Sequence, residues 1–153
     1  MREYRLAVTT AVAALALAVI GGLVEPEGAA LACPDWPLCN GRLLPSLSAA
    51  ILVEHGHRIV ALGVAILTAT LAALVMRTRI DPGVRRLAIA AVALVGLQAA
   101  LGAITVVYGL PVLARIAHLA TAMAFFAVVV HLAARLRPGD AAVLPAPPPP
   151  ARP

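Results

Sequence analysis

The stretch Ala49-Ala-Ile-Leu-Val-Glu-His-Gly-His-Arg-Ile-Val-Ala-Leu-Gly-Val-Ala-Ile-Leu-Thr-Ala-Thr-Leu-Ala-Ala-Leu-Val-Met76 decides how the rest of the chain is read. It is long enough to cross a bilayer with tilt, since about 20 apolar residues suffice. Its first third nevertheless carries Glu54, His55, His57 and Arg58. Ionisable groups are costly inside a span, so they face a bundle interior and mark a functional site. Comparable apolar runs lie on either side, from Leu6 to Val24, from Leu87 to Tyr108 and from Val112 to Ala134. The expected fold is an all-α membrane protein, a bundle of four transmembrane helices over about 6–24, 49–76, 87–108 and 112–134.

Composition agrees and excludes other classes. Of 153 residues, 62% are hydrophobic and 12% charged, and the mean hydropathy is +0.97. Soluble domains sit near 45–50% apolar and about 25% charged, so a soluble globular domain is ruled out. The net charge of +5 comes from 12 basic residues that are all Arg and fall between the apolar runs. No nucleic-acid partner is expected from such a pattern.

The arginines orient the spans. Arg2 and Arg5 precede the first run, Arg77, Arg79, Arg85 and Arg86 lie between the second and third, and Arg135, Arg137 and Arg152 follow the fourth. The positive-inside rule puts both termini and the 77–86 connection in the cytoplasm, and residues 25–48 and 109–111 outside. The expectation is a multi-pass protein of the cell membrane. Interfacial aromatics are few, with Tyr4, Trp36 and Tyr108 as candidates. A cleaved leader is the rival reading for the first run, with Ala30-Leu-Ala32 before Cys33 as its cleavage site, but Glu25 to Gly28 intervene and the run is too long. Residues 1–137 read as one membrane domain. The remainder, 138–153, holds seven of the 13 prolines and reads as a disordered cytoplasmic tail with polyproline II character.

Two constellations carry chemistry. Cys33 and Cys39 flank Pro-Asp-Trp-Pro-Leu in the outer segment, where an oxidising compartment makes a disulfide the default. A redox-active dithiol and a metal site are the alternatives, the first lacking the two-residue spacing and the second lacking further ligands. Glu54, His57 and Arg58 stand at i, i+3 and i+4 on one helix face, with His55 pointing roughly the opposite way. His57 lies about 12 Å into its span and His118 about 9 Å into the fourth, at 1.5 Å per residue. Two imidazoles at matched depth without a carboxylate or cysteine cluster suit axial ligation of a heme iron better than zinc or di-iron. Gly56, Gly63, Ala114, Ala117, Thr121 and Ala122 leave room for a flat ligand. Arg58 and Arg115 are placed for heme propionates or for lipid phosphates. His131 lies about 20 Å deeper than His118 and reads as an interfacial polar residue. Gln98, Gly102 and Thr105 form a polar, small stripe suited to interhelical hydrogen bonding.

Taken in order, Cys33-Pro-Asp-Trp-Pro-Leu-Cys-Asn-Gly41, Glu54-His-Gly-His-Arg58, Leu97-Gln-Ala-Ala-Leu-Gly102 with Thr105-Val106, Leu110-Pro111 and His118-Leu119 resemble the heme A synthase family over about Gly21 to Phe126. The resemblance implies oxidation of the ring methyl of heme O to a formyl group, giving heme A for terminal oxidases. It implies His57 and His118 as axial ligands, Glu54 as the catalytic or proton-handling carboxylate, and Cys33–Cys39 as the loop disulfide. Heme O is then the substrate and heme B the cofactor. Heme O synthase and terminal oxidase subunits are the natural partners, beside the lipid bilayer.

Two departures stand out. The family's familiar form has eight helices in two similar halves, each with a His pair, whereas this chain corresponds to the half with Cys and Glu. A homo-oligomer or a second half-length subunit is therefore expected. At Val24-Glu-Pro-Glu-Gly-Ala-Ala30 the family's Arg followed by a Thr, Gly and Ser stretch is absent. The alternative function is a four-helix membrane cytochrome b that carries electrons or heme without oxidising the porphyrin. A membrane thiol oxidase is the third class, which would need the cysteines and not the histidines.

Overall fold

A computed structural model describes residues 1–24, 31–46 and 48–138. The departing segment beyond Val24 and the Pro-rich tail from Gly139 lie outside the described residues. Four helices make up the fold: α1 (Arg2–Val24), α2 (Ala49–Thr78), α3 (Pro82–Val107) and α4 (Val112–Arg135). All four are long and apolar enough to cross a membrane. Among the described residues the only β-type pairing is an isolated bridge between Cys39 and Arg42.

Helix starts follow from local chemistry. Ser48 caps α2, its hydroxyl accepting the Ile51 N–H at 3.3 Å. Asp81 caps α3, its carboxylate accepting the Gly83 N–H at 2.7 Å, and Pro82 fills the first turn, where a missing N–H costs nothing. That Asp-Pro start places the α3 N-terminus five residues before the apolar run begins. Likewise α1 starts at Arg2, because Glu3 is drawn into the bundle. Its carboxylate accepts from the Thr78 hydroxyl and from Arg79, both at 2.6 Å. Between α3 and α4 the chain reverses through Gly109 and Leu110, both at positive φ, a conformation that glycine adopts freely and leucine does not.

Each helix packs on its sequence neighbours, and α1 closes the ring on α4. Directions alternate: the start of α1 meets the end of α2 through Glu3 and Arg79, and the start of α3 meets the end of α4 through Asp81 and Arg135 at 2.7 Å. The result is an up-down-up-down ring with α2 and α4 on one diagonal. Apolar burial is concentrated toward one end of the ring. One cluster joins Ala7, Leu71, Val75, Val84, Ala88 and Leu132, and a second joins Ala14, Val64, Ala91, Phe125 and Val129. Beyond these, toward the His57 end, the only buried side chains among the described residues are Glu54, Cys33 and Cys39. That half holds the site.

Candidate functional site

At 30 residues α2 is longer than a crossing needs. Its first turns meet the chain's own 31–46 loop, which explains how polar side chains are accommodated there. Glu54 is only 4% exposed. One carboxylate oxygen accepts the Cys33 N–H at 2.9 Å, and the other accepts from Arg58 at 2.5 Å. Arg58 also donates to the carbonyls of Cys33 (2.9 Å), Asp35 (2.6 Å) and Leu38 (2.5 Å). A loop without a ladder leaves its carbonyls orphaned, and a guanidinium offers five donors in a rigid fork. The ion pair therefore grips the Cys33 residue at both its N–H and its carbonyl.

The loop is closed on itself as well. A disulfide joins Cys33 and Cys39, both fully buried. Asn40 and Gly41 take positive φ in a tight turn bridged by Cys39 and Arg42, the conformation an Asn-Gly pair favours. The Asp35 carboxylate accepts the N–H of Asn40 at 2.6 Å and of Gly41 at 2.7 Å. These bonds, the one from Gly41 foremost, hold its pKa below the ordinary aspartate value. His55 donates from Nε2 to the Leu43 carbonyl at 2.9 Å and approaches both sulfurs, the three potential ligand atoms lying within 4.8 Å of one another. The third donor that the cysteines lack in sequence is thus supplied by the fold, but the disulfide engages both sulfurs.

His57 lies on α2 and His118 on α4, the two diagonal helices, both beyond the apolar clusters. Each lies against a glycine of an intervening helix. A Cβ on Gly21 of α1 would sit 2.9 Å from Cε1 of His57, and one on Gly102 of α3 would sit 3.5 Å from Cε1 of His118. Nδ1 of each imidazole is buried without a hydrogen-bond partner, as is Oε1 of Gln98. The Gln98 amide donates to the His118 carbonyl at 2.9 Å, tying α3 to α4 beside that imidazole. Orphaned buried polar atoms are rare and call for an explanation. Two imidazoles with buried, unpartnered Nδ1 atoms, one of them set against Gly21, make a donor set that would suit a bis-imidazole heme.

Other anticipated residues fall as follows. Arg115 is half-buried one turn before His118 on α4, and His131 is exposed far along the same helix. Arg58 was a propionate candidate from sequence, yet its terminal nitrogens serve the loop carbonyls and Glu54. Thr105 bonds the Gly102 carbonyl of its own helix at 2.7 Å. Sequence reasoning gave no role to Gly21, Asp35 or His55. The Asp35 spacing to Asn40-Gly41 was the one local signal available, whereas nothing local links Gly21 to His57.

Residues 4–150 match the COX15-CtaA family of cytochrome oxidase assembly proteins. The chain belongs to that family. It is 34% identical over 132 residues to a heme A synthase of Bacillus pumilus, a match covering 84% of this chain and 43% of the relative. A heme A synthase of Caulobacter vibrioides is 33% identical over 131 residues, covering 78% and 38%. A protoheme IX farnesyltransferase of Haloarcula marismortui is 36% identical over 117 residues, covering 76% of this chain and 25% of that protein. The chain thus spans less than half the length of these family relatives.

Proposed function

We propose that this family member is a heme A synthase, oxidising the ring methyl of heme O to a formyl group to make heme A for terminal oxidases. The observation that carries this reading is the pair His57 on α2 and His118 on α4, each with a buried, unpartnered Nδ1 and the first set against Gly21, in the half of the bundle where the apolar clusters are absent among the described residues. The relatives' names support the reaction.

In this reading His57 and His118 would hold the heme iron, and heme B would be the cofactor in a further site of the assembly. A bound heme supplies the iron redox chemistry; the chain's own residues position it and keep water out. Arg115, three residues before His118, takes a propionate. Glu54 and Arg58 hold the disulfide loop over the site. Glu54 handles protons as the resemblance implies, once its bond to the Cys33 N–H opens, because both of its oxygens are engaged when the loop is closed. With one His pair in this segment, a second comes from another copy of the chain or from a second half-length subunit. The arginine distribution supports cytoplasmic termini and an extracytoplasmic Cys33–Cys39 loop in the cell membrane. Heme O synthase and terminal oxidase subunits are the expected partners.

The engagement of both Glu54 oxygens away from the histidines favours one alternative, a membrane cytochrome b with the same ligands and no porphyrin oxidation. Purification from a host that makes heme O separates the two, by a reduced-minus-oxidised spectrum and mass analysis of extracted hemes. Heme A or its hydroxylated precursor, absent from His57→Ala and His118→Ala, supports the synthase. Heme B alone beside an unchanged heme O pool supports the cytochrome. No heme in the wild type sinks both.

A further inference from the structure

The backbone around Cys33 and Cys39 is pinned by bonds that do not involve sulfur, so cutting the disulfide leaves the two sulfurs close together. Glu54 accepts the Cys33 N–H, Arg58 holds the Cys33 and Leu38 carbonyls, and Cys39 exchanges two backbone bonds with Arg42, both at 3.1 Å. Asp35 fixes the Asn40-Gly41 turn that follows. His55 reaches the same point from α2, with one ligand atom from each of Cys33, Cys39 and His55 lying within 4.8 Å of the others. Its ring is already set. A carbonyl can only accept, so Nε2 carries the proton given to Leu43, and Nδ1 of the neutral ring keeps its lone pair. That Nδ1 is buried without a partner. One ring nitrogen donating to a backbone carbonyl, with the other left bare, is the arrangement that metal-ligating histidines adopt. On the sulfur side, the Asn40 amide donates to Cys39 Sγ at 3.7 Å and the Arg58 guanidinium lies against the Cys33 carbonyl. A disulfide gains little from a donor and a cation, whereas a thiolate gains from both.

We propose that the reduced loop is a binding site for a soft metal ion, Cu(I), with the Cys33 and Cys39 thiolates and His55 Nδ1 as its three ligands. The site is separate from the His57 and His118 pair and stands whether or not the chain binds heme. Thiolate and imidazole donors select a soft ion, and the group holds no fourth His, Cys, Asp or Glu among the described residues. Three donors suit Cu(I), whereas structural zinc takes four. The chemistry balances with a dithiol as reductant. Its two thiols become a disulfide while two electrons and two protons pass to Cys33 and Cys39, and Cu(I) then releases both protons as the sulfurs coordinate. No electron moves in the metal step. Both cysteines are buried, but the loop over them is exposed at Trp36, Leu43 and Leu44, so a reductant enters by local opening of the loop with the helices intact. The loop is thus closed either by its disulfide or by the metal, never by both.

The test uses the full chain in nanodiscs, reduced with a phosphine that is then removed under argon, and titrated with Cu(I) in competition with bicinchoninate. The expected result is one Cu(I) per reduced chain and none in the oxidised chain, with copper X-ray absorption showing two sulfurs and one nitrogen. His55→Ala should weaken binding by about tenfold or more and lose the nitrogen from the spectrum, and Cys33→Ser should lose the site. His55→Gln keeps a donor for the Leu43 carbonyl without the imidazole, and it serves if His55→Ala loosens the loop. Its binding should fall as in His55→Ala, while reoxidation to the disulfide shows that the loop is still formed. The double variant of His57→Ala and His118→Ala should bind Cu(I) like wild type. Equal binding by the oxidised chain, or loss in that double variant, overturns the loop site and assigns the metal to the histidine pair. Undiminished affinity in both His55 variants, with sulfur ligands alone, reduces the site to a bare dithiol and overturns it too. Displacement of bound Cu(I) by zinc at equal concentration overturns the choice of metal, and no Cu(I) on the reduced wild type overturns the whole inference.

Discussion

The two halves of the bundle use the same four helices for different ends. In the half that contains the start of α1 and the end of α4, Leu71, Val75, Val129 and Leu132 interdigitate and are almost wholly buried. In the other half the interior is given to His57, His118, Gly21, Gly102 and Gln98, and the buried positions are a carboxylate and a disulfide. Lipid solvates leucine as well as a protein core does, so the closed half is held by packing rather than by exclusion from water. The open half gives up that packing and is held instead by the Glu54–Arg58 grip on the loop. The contrast teaches that a small membrane bundle can leave room for a candidate ligand site by withholding large side chains from one end while the other end keeps the helices in register.

The sharpest way to break this contrast is at the histidines. His57→Ala and His118→Ala should each abolish heme retention, by more than about 100-fold, since even the outer partners of metal ligands are worth 10–100-fold. The heme-free protein's melting temperature should barely move, because neither Nδ1 gives up a hydrogen bond. Heme-to-protein ratio and thermal unfolding in detergent check both halves of this expectation.

Next in size is the grip. Glu54→Gln removes one partner of a buried ion pair, a change that costs about 3–5 kcal/mol where the remaining charge is left unpaired. The loop carbonyls that Arg58 still holds should bring the cost to the lower end. The expected readout is faster reduction of Cys33–Cys39 by an added phosphine, with far-ultraviolet helicity unchanged. A disulfide as protected as in wild type would mean that the loop is held elsewhere.

Leu132→Ala in the closed half should cost about 2–3 kcal/mol, the low end for a core leucine, because in a bilayer the loss is packing and cavity rather than transfer from water. Heme content should stay at the wild-type level once the protein is folded. A proportional loss of heme would show that the two halves are coupled rather than separate. Gly41→Ala, at φ +71° with open space around it, should cost about 1–2 kcal/mol from backbone strain alone, confined to the loop.

The smallest effect is on pH. Hydrogen bonds from Gly41 and Asn40 lower the Asp35 pKa in the folded loop. The stabilisation they give is therefore fully present above the ordinary aspartate value near 3.8 and is lost as pH falls through the lowered folded value. Phosphine reduction of the disulfide should speed up on acidification in wild type and change less in Asp35→Asn.

Much of this was readable from residues alone. Hydropathy and arginine placement are local properties, so the four spans and the helix bundle followed from runs such as Ala49 to Met76. The i, i+3, i+4 spacing put Glu54, His57 and Arg58 on one face, and similar depth proposed His118 as the partner of His57, because helical rise converts sequence number into distance. The starts of α1 and α3 were not readable from the apolar runs. Glu3 joins α1 only because Thr78 and Arg79 wait beside it, some 75 residues away.

Sequence by itself therefore determined the apolar, membrane-spanning character of the chain and the number of its helices, and it singled out His57 and His118 as the candidate pair. Tertiary structure alone decided what Glu54 and Arg58 do, bending both toward the loop backbone, and where His55 goes. It alone set Gly21 against His57. The physical reason is that hydropathy and helical periodicity are carried by neighbours in the chain, whereas a hydrogen bond to a loop carbonyl or an imidazole set against a glycine depends on which helix arrives opposite.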